Sequence, residues 1–584
     1  MKHKDRFVFG RTARSVLRTM LSVVLLLCSI LFLPGVTADV SAQTLAADTT
    51  SKIVTSPAKV TISNVPAGKS ITWATYQVLY ATYDADSNAL EYHLTGWAKD
   101  VLVGTGTTEE AEIKKITKLT TTGAVATEQS DLVNQLAAAT IKNPYSAIWS
   151  VTGTDAAADL PVGAYLVIPS CEGMTFLNML VSVDTSGTTA TDENGWVLTA
   201  KGAVLKGKTL SIDKKITGKN GSTPVAISAG KTTETAQIGD TIHYTIVAQV
   251  PHYPDNSTGK IFRVVDTPTN LSISTDSISV YGVDAANTET PISKTSYTVS
   301  KDSTDGPVTI DFSSIYDGTF YNTTTKSWPY VSVKITYMAV VTEKAELGTN
   351  GNPNTAKLIY QIDNQQKELP SPKTTVFTYG LNVEKLEAGT EAGTAVKKLT
   401  NAVFQISRDG TSTPLYFKDN ADGSYTLAQD QTTASATGYT QDLTTQGTDG
   451  SFWLKGLDAG VNYSLKEVKA PSGYSVNTDT LTIRLTAGTN PVDSTYTGIL
   501  RDVTGTEKDK NGQEIATGTG SWTCGVLDAN KAKAAVSLTD TKLFELPATG
   551  GKGTDGFARK GILLLTAAAL VYGISRRKTQ DERG

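Results

Sequence analysis

DTIHYTIVAQV, residues 240–250, and YVSVKITYMAVV, residues 330–341, decide the fold class. In the first, Ile242, Tyr244, Ile246, Ala248 and Val250 fall on alternate positions, and the second repeats the alternation. A period of two puts the apolar set on one face of a strand, ready to meet a second sheet. Short strands of this kind recur along the chain between Gly, Asn and Asp turns, and Thr, Val and Tyr recur with them. The pattern predicts an all-β protein of three tandem immunoglobulin-like β-sandwich domains. One helical decoration is expected in the first, at SDLVNQLAAATI, residues 130–141.

Working outward, 584 residues give room for three or four such units. Changes of pattern place a β-domain over 45–205, a second over 208–372 and a third over 379–544. A net charge of −4 without a basic field argues against a nucleic-acid partner. Residues 1–42 read as a secretory signal peptide. Lys2, Lys4, Arg6, Arg11, Arg14 and Arg18 precede an apolar run from Leu21 to Leu33, and small residues follow at Ala38 and Ala42. Leu27 before Cys28 is too large for a lipoprotein signal. Cys171 and Cys524 then remain, too far apart to suggest a shared domain, so an exported chain of this length needs another staple.

At the other end, LFELPATGGKG, residues 543–553, precedes the apolar run GILLLTAAALVYGI (561–574) and the basic SRRK. Fourteen helical residues rise only about 21 Å, a short transmembrane helix whose basic flank holds the inner side. Leu546, Pro547, Ala548, Thr549 and Gly550 with this tail over 546–584 resemble the LPxTG cell-wall sorting signal of Gram-positive surface proteins. The resemblance implies that a sortase cysteine attacks the Thr549 carbonyl, Gly550 onward leaves, and Thr549 passes to an amine. Pro547 favours an extended, kinked peptide that a groove can grip.

Two lysines stand out by parity. Leu210, Ile212, Lys214 and Ile216 share one strand face, and so do Leu381, Val383 and Lys385. A buried lysine must be deprotonated, paired or consumed. In the third segment YSLKEVKAPSGY (463–474) resembles the YxLxExxAPxGY box of Cna-B-type domains, and LTNAVFQI (399–406) that family's LxGAxF strand. The resemblance implies an isopeptide bond from Lys385 to Asp540, assisted by Glu467. Most relatives carry Asn as acceptor, and Asp releases water instead of ammonia. The second segment, with IDKKI, FRVVDT and NTAKLIY, resembles an isopeptide-forming fimbrial domain. That implies Lys214 as nucleophile, Asp266 as assisting acid and Asn354 as acceptor, with Asn352 the alternative acceptor. In the first segment no comparable trio stands out.

These resemblances together imply a backbone pilin: a structural, non-enzymatic subunit of a covalently polymerised surface pilus. Thr549 would be joined to a lysine at the first joint, within VLKGKTLSIDKK, where Lys206 is expected, with Lys208 and Lys201 as alternatives. The alternative is a monomeric wall-anchored adhesin or an accessory pilin. The implied partners are identical subunits, a class C-type pilus sortase, a housekeeping sortase, peptidoglycan, minor pilins and host-surface receptors, and the implied location is the cell wall and surface. GAVLKGKT (202–209) matches a phosphate-binding loop formally, but a strand, not a helix, is expected after it. His93, His243 and His252 stand apart from Cys and carboxylates, so no metal and no cofactor are expected.

Overall fold

The computed structural model describes residues 51–543, except 85, 87–88, 123–125, 187–196, 256, 363–364, 390–395, 437 and 517–518, together with 562–569. The signal peptide, the LPATG stretch and most of the apolar tail lie outside the described residues. Among those described, no helix is long and apolar enough to cross a membrane. Cys171 and Cys524 are free thiols.

The chain forms an all-β succession of three sandwiches. In the first, a six-stranded sheet centred on Thr72–Asp84 and Gly163–Ser170 faces a four-stranded sheet built on Pro57–Ser63 and Asp155–Pro161. Three helices, Gly96–Leu102, Glu109–Thr122 and Ala126–Ala138, cover the outer face of the larger sheet. The sequence pointed to only one of them. Its other sign was the strand GAYLVIPS, which is apolar on both faces: Tyr165 and Val167 fill the sandwich interior, while Ala164 and Leu166 meet the helices.

In the second sandwich the five-stranded sheet runs Ile212–Lys219, Thr241–Gln249, Ser332–Val341, Leu271–Val283, Glu289–Ile292. The opposing seven-stranded sheet contains Arg263–Pro268 beside Asn352–Ile362, which pairs with Thr374–Phe377. In the third, Tyr379–Glu387 lies between Ser451–Leu457 and the final strand Lys533–Asp540, the latter in parallel. The facing sheet carries Val403–Arg408 next to Asn462–Lys469. Alternation is strict in Lys533–Asp540, where Ala534, Val536, Leu538 and Asp540 are buried, and gives way to burial on both faces in Thr374–Phe377.

The second and third sandwiches share a continuous buried core. Gly456 makes their joint possible: it sits at φ +94°, and a Cβ there would stand 2.2 Å from Ile238 Cδ1. Ile238 N–H donates to the Gly456 carbonyl at 2.9 Å. Around this contact Lys219 Nζ pairs with buried Asp458 at 2.7 Å, and Gln237 Oε1 accepts from Arg408 Nε and the Tyr463 hydroxyl.

Candidate functional site: two buried lysine clusters and an exposed lysine

Lys214 is fully buried, as the alternation of Ile212–Lys219 requires. Its Nζ donates to both carboxylate oxygens of Asp266, at 2.7 and 2.8 Å. The two residues come from opposite sheets, so the pair spans the sandwich interior. Burial pulls the Lys214 amine down to about 8 from an ordinary 10.5, the Asp266 charge opposing it. Beneath the ammonium lie the rings of Tyr244 and Tyr337, with centroids 5.2 and 5.7 Å away and stacked on each other at 5.3 Å.

Asn354 is buried on the strand beside Asp266; the register sets it opposite Pro268. Its Nδ2 donates to the Tyr337 hydroxyl at 3.1 Å, and that hydroxyl donates in turn to Asp266 Oδ2. Its Oδ1 is buried without a hydrogen-bond partner among the described residues. Thr374 Oγ1 donates to the Asn354 carbonyl at 2.9 Å and fixes the backbone. Asn352 shares the parity of Asn354 but is committed elsewhere. It donates to the Glu346 and Val376 carbonyls and accepts from Glu346 N–H and Asn270. Tyr244 and Tyr337 were missed in the sequence. Their signal was inward parity on two neighbouring strands, where the register sets them opposite each other.

The third sandwich repeats the motif with a different layout. Lys385 is fully buried, with Nζ 2.8 Å from Glu467 Oε1 and 2.6 Å from Asp540 Oδ1. Lysine and Asp540 share a sheet, on adjacent parallel strands, while Glu467 reaches across from the facing sheet. The ammonium lies at ion-pairing distance from both carboxylates without hydrogen-bond alignment to either. Asn477 N–H donates to Glu467 Oε2 at 2.8 Å and orients it. Burial raises the pKa of both Glu467 and Asp540. The Phe404 ring faces the ammonium at 5.8 Å. Either cluster can shift a proton from ammonium to carboxylate, leaving a neutral amine beside a carbonyl carbon in a dry interior.

Lys206 is exposed between the strands Ala203–Val204 and Gly207–Thr209. It borders a cleft of about 590 Å3 between the first and second sandwiches, with Leu177, Tyr253, Asp255 and Trp328. Lys208 is half-buried and its pKa is lowered by burial, while Lys201 pairs in register with Ser182. The phosphate-loop match at 202–209 falls in these strands and leads into the strand Ile212–Lys219. Among the described residues no group of His, Cys, Asp and Glu is placed to hold a metal ion.

A β-sandwich with a lysine locked to a carboxylate between its first and last strands defines the class of the third unit. Residues 384–498 match the family described as SpaA, prealbumin-like fold domain. Over most of its length the chain is homologous to the trypsin-resistant surface T6 protein of Streptococcus pyogenes serotype M6. The two are 26% identical over 523 residues, covering 79% of this chain and 87% of that one. Similar solved structures include the T6 backbone pilin of serotype M6 Streptococcus pyogenes (16% identity, 84% of this chain and 99% of that one, TM-score 0.48). The full-length major pilin SpaD of Corynebacterium diphtheriae is also similar (16% identity, 84% and 98%, TM-score 0.43). The domain match and the homology over most of the chain uphold the resemblance drawn from the sequence.

Proposed function

We propose that this chain is the structural subunit of a covalently polymerised cell-surface pilus. Sortase joins Thr549 of one subunit to Lys206 of the next, and internal isopeptide bonds Lys214–Asn354 and Lys385–Asp540 stabilise each subunit and support adhesion. The observation that carries the reading is a fully buried lysine, Lys385, 2.6 Å from an aspartate on the last strand of its domain and 2.8 Å from a buried glutamate. Homology to the T6 surface protein over most of both chains supports the pilus setting.

In this reading folding supplies the proximity that an external enzyme otherwise provides. Glu467 and Asp266 take a proton from the amine and polarise the acceptor, and each cluster turns over once. The exported chain is anchored to peptidoglycan through the same sorting signal, with a pilus sortase and a housekeeping sortase as partners. A boiled cell-wall extract on a denaturing gel tests the polymer. A ladder of very large species that collapses in Lys206→Ala is expected. A single band from the unaltered chain points instead to the second reading, a wall-anchored monomer or accessory pilin.

A further inference from the structure

We infer that Tyr337 is a catalytic residue of the second sandwich, the relay that carries a proton from Asp266 to the amide nitrogen expelled from Asn354. The inference rests on the Lys214–Asn354 bond proposed above. Three observations lead to it. The Tyr337 hydroxyl touches both Asp266 Oδ2 and Asn354 Nδ2, the atom that must leave. All three side chains are buried, which shuts bulk water out as the proton source. Asp266 itself is engaged through both oxygens by Lys214, so the tyrosine is what connects the acid to the leaving nitrogen.

The steps balance. Lys214 Nζ passes one proton to Asp266 and attacks Asn354 Cγ. Addition ends the amide resonance, so Nδ2 becomes tetrahedral with its own lone pair localised and able to accept, and its hydrogen bond with the hydroxyl reverses. Tyr337 gives its proton to Nδ2 and takes the one on Asp266; the Cγ–Nδ2 bond breaks and ammonia leaves. A second proton from Nζ ends on Asp266, and the third stays on the new amide. Nothing is oxidised or reduced.

The third sandwich supplies a contrast. There the acceptor is Asp540, and the ring facing the lysine is Phe404, which has no hydroxyl. Hydroxide leaves a tetrahedral carbon far more readily than amide ion does, so an aspartate acceptor depends less on a delivered proton.

The test follows each cross-link by peptide mapping in the full-length chain, isolated unfolded in urea and refolded by dilution. Tyr337→Phe keeps the ring under Lys214 and removes only the oxygen. Formation of Lys214–Asn354 should slow by about 100-fold, while Lys385–Asp540 forms at its usual rate in the same molecules. In an Asn354→Asp background the same change should slow the bond by less than about tenfold. Equal slowing in both backgrounds makes Tyr337 a packing residue and overturns the relay, and so does an undiminished rate in Tyr337→Phe. Absence of the cross-link from the unaltered chain overturns the underlying reading instead. Should Tyr337→Phe not reach the folded baseline by circular dichroism, rates in light and heavy water decide. The slowing in heavy water should be larger with Asn354 than with Asn354→Asp, and equal slowing overturns the relay.

Discussion

Lys385 Nζ stands 2.6 Å from Asp540 Oδ1, joining the strand that opens the third sandwich to the one that closes it. The two strands run parallel and side by side, so a bond here carries tension past the chain enclosed between Lys385 and Asp540 and the backbone hydrogen bonds within it. Lys385→Ala removes the nucleophile. The unaltered mature chain should weigh about 35 Da less than its sequence, one ammonia and one water, and Lys385→Ala should recover about 18 Da of that. Loss of a closed loop of about 155 residues should cost about 5 kcal/mol on the chain-entropy estimate for cross-links. Intact mass and thermal unfolding check the two numbers, and a full calculated mass for the unaltered chain removes both bonds from the account.

The pH dependence of the Lys214 cluster distinguishes acid-assisted from simple amine attack. The reactive form has a neutral amine and a protonated Asp266, so the pair holds one proton. With Lys214 pulled down to about 8 by burial, that proton is lost above this pH. Cross-link formation on refolding should then fall by about tenfold per pH unit above ~8. An unassisted amine, already neutral above that pH, would hold a constant rate over the same range. The Asn354→Ala chain, which lacks the acceptor, shows the linkage alone. Its unfolded lysine keeps its proton to about 10.5 and its folded lysine only to about 8, so folding releases a proton between them. Stability, read as the urea midpoint, should rise across that window as pH rises.

Lys219 and Asp458 tie the second sandwich to the third. Asp458 is fully buried, its Oδ1 has no hydrogen-bond partner among the described residues, and burial raises its pKa. Lys219→Met leaves this carboxylate unpaired in the joint and should cost about 3 kcal/mol near neutral pH. Because the folded pKa is raised, the loss should shrink as the pH falls and Asp458 protonates. A double Lys219→Met, Asp458→Leu chain should recover most of the stability in calorimetry. No recovery in the double variant would mean that the pair does not hold the joint.

Strand positions were largely legible because burial on one face leaves a period-two trace, and Lys214 and Lys385 break that trace conspicuously. Glu467 was found through its motif, and the structure sets it beside Lys385. The helices Gly96–Leu102 and Glu109–Thr122 were not found. Their one trace was the loss of alternation in Gly163–Ser170, apolar on both faces, which marks a covered sheet without saying which segments cover it. The joint at Gly456 was equally hidden, since its partner Ile238 lies in another domain.

By itself the sequence determined which side chains face inward, for parity along a strand is a local property of the backbone. Parity alone does not separate Asn352 from Asn354, which are two residues apart and share a face; the family resemblance is what put Asn354 first and Asn352 second. Strand register sets their surroundings apart: it puts Asn354 against the Tyr337 hydroxyl and leaves Asn352 bound to Glu346 and Val376. Tyr337, Asp266 and Lys214 come from three strands on two sheets, and only packing those sheets face to face brings their polar atoms within hydrogen-bonding reach.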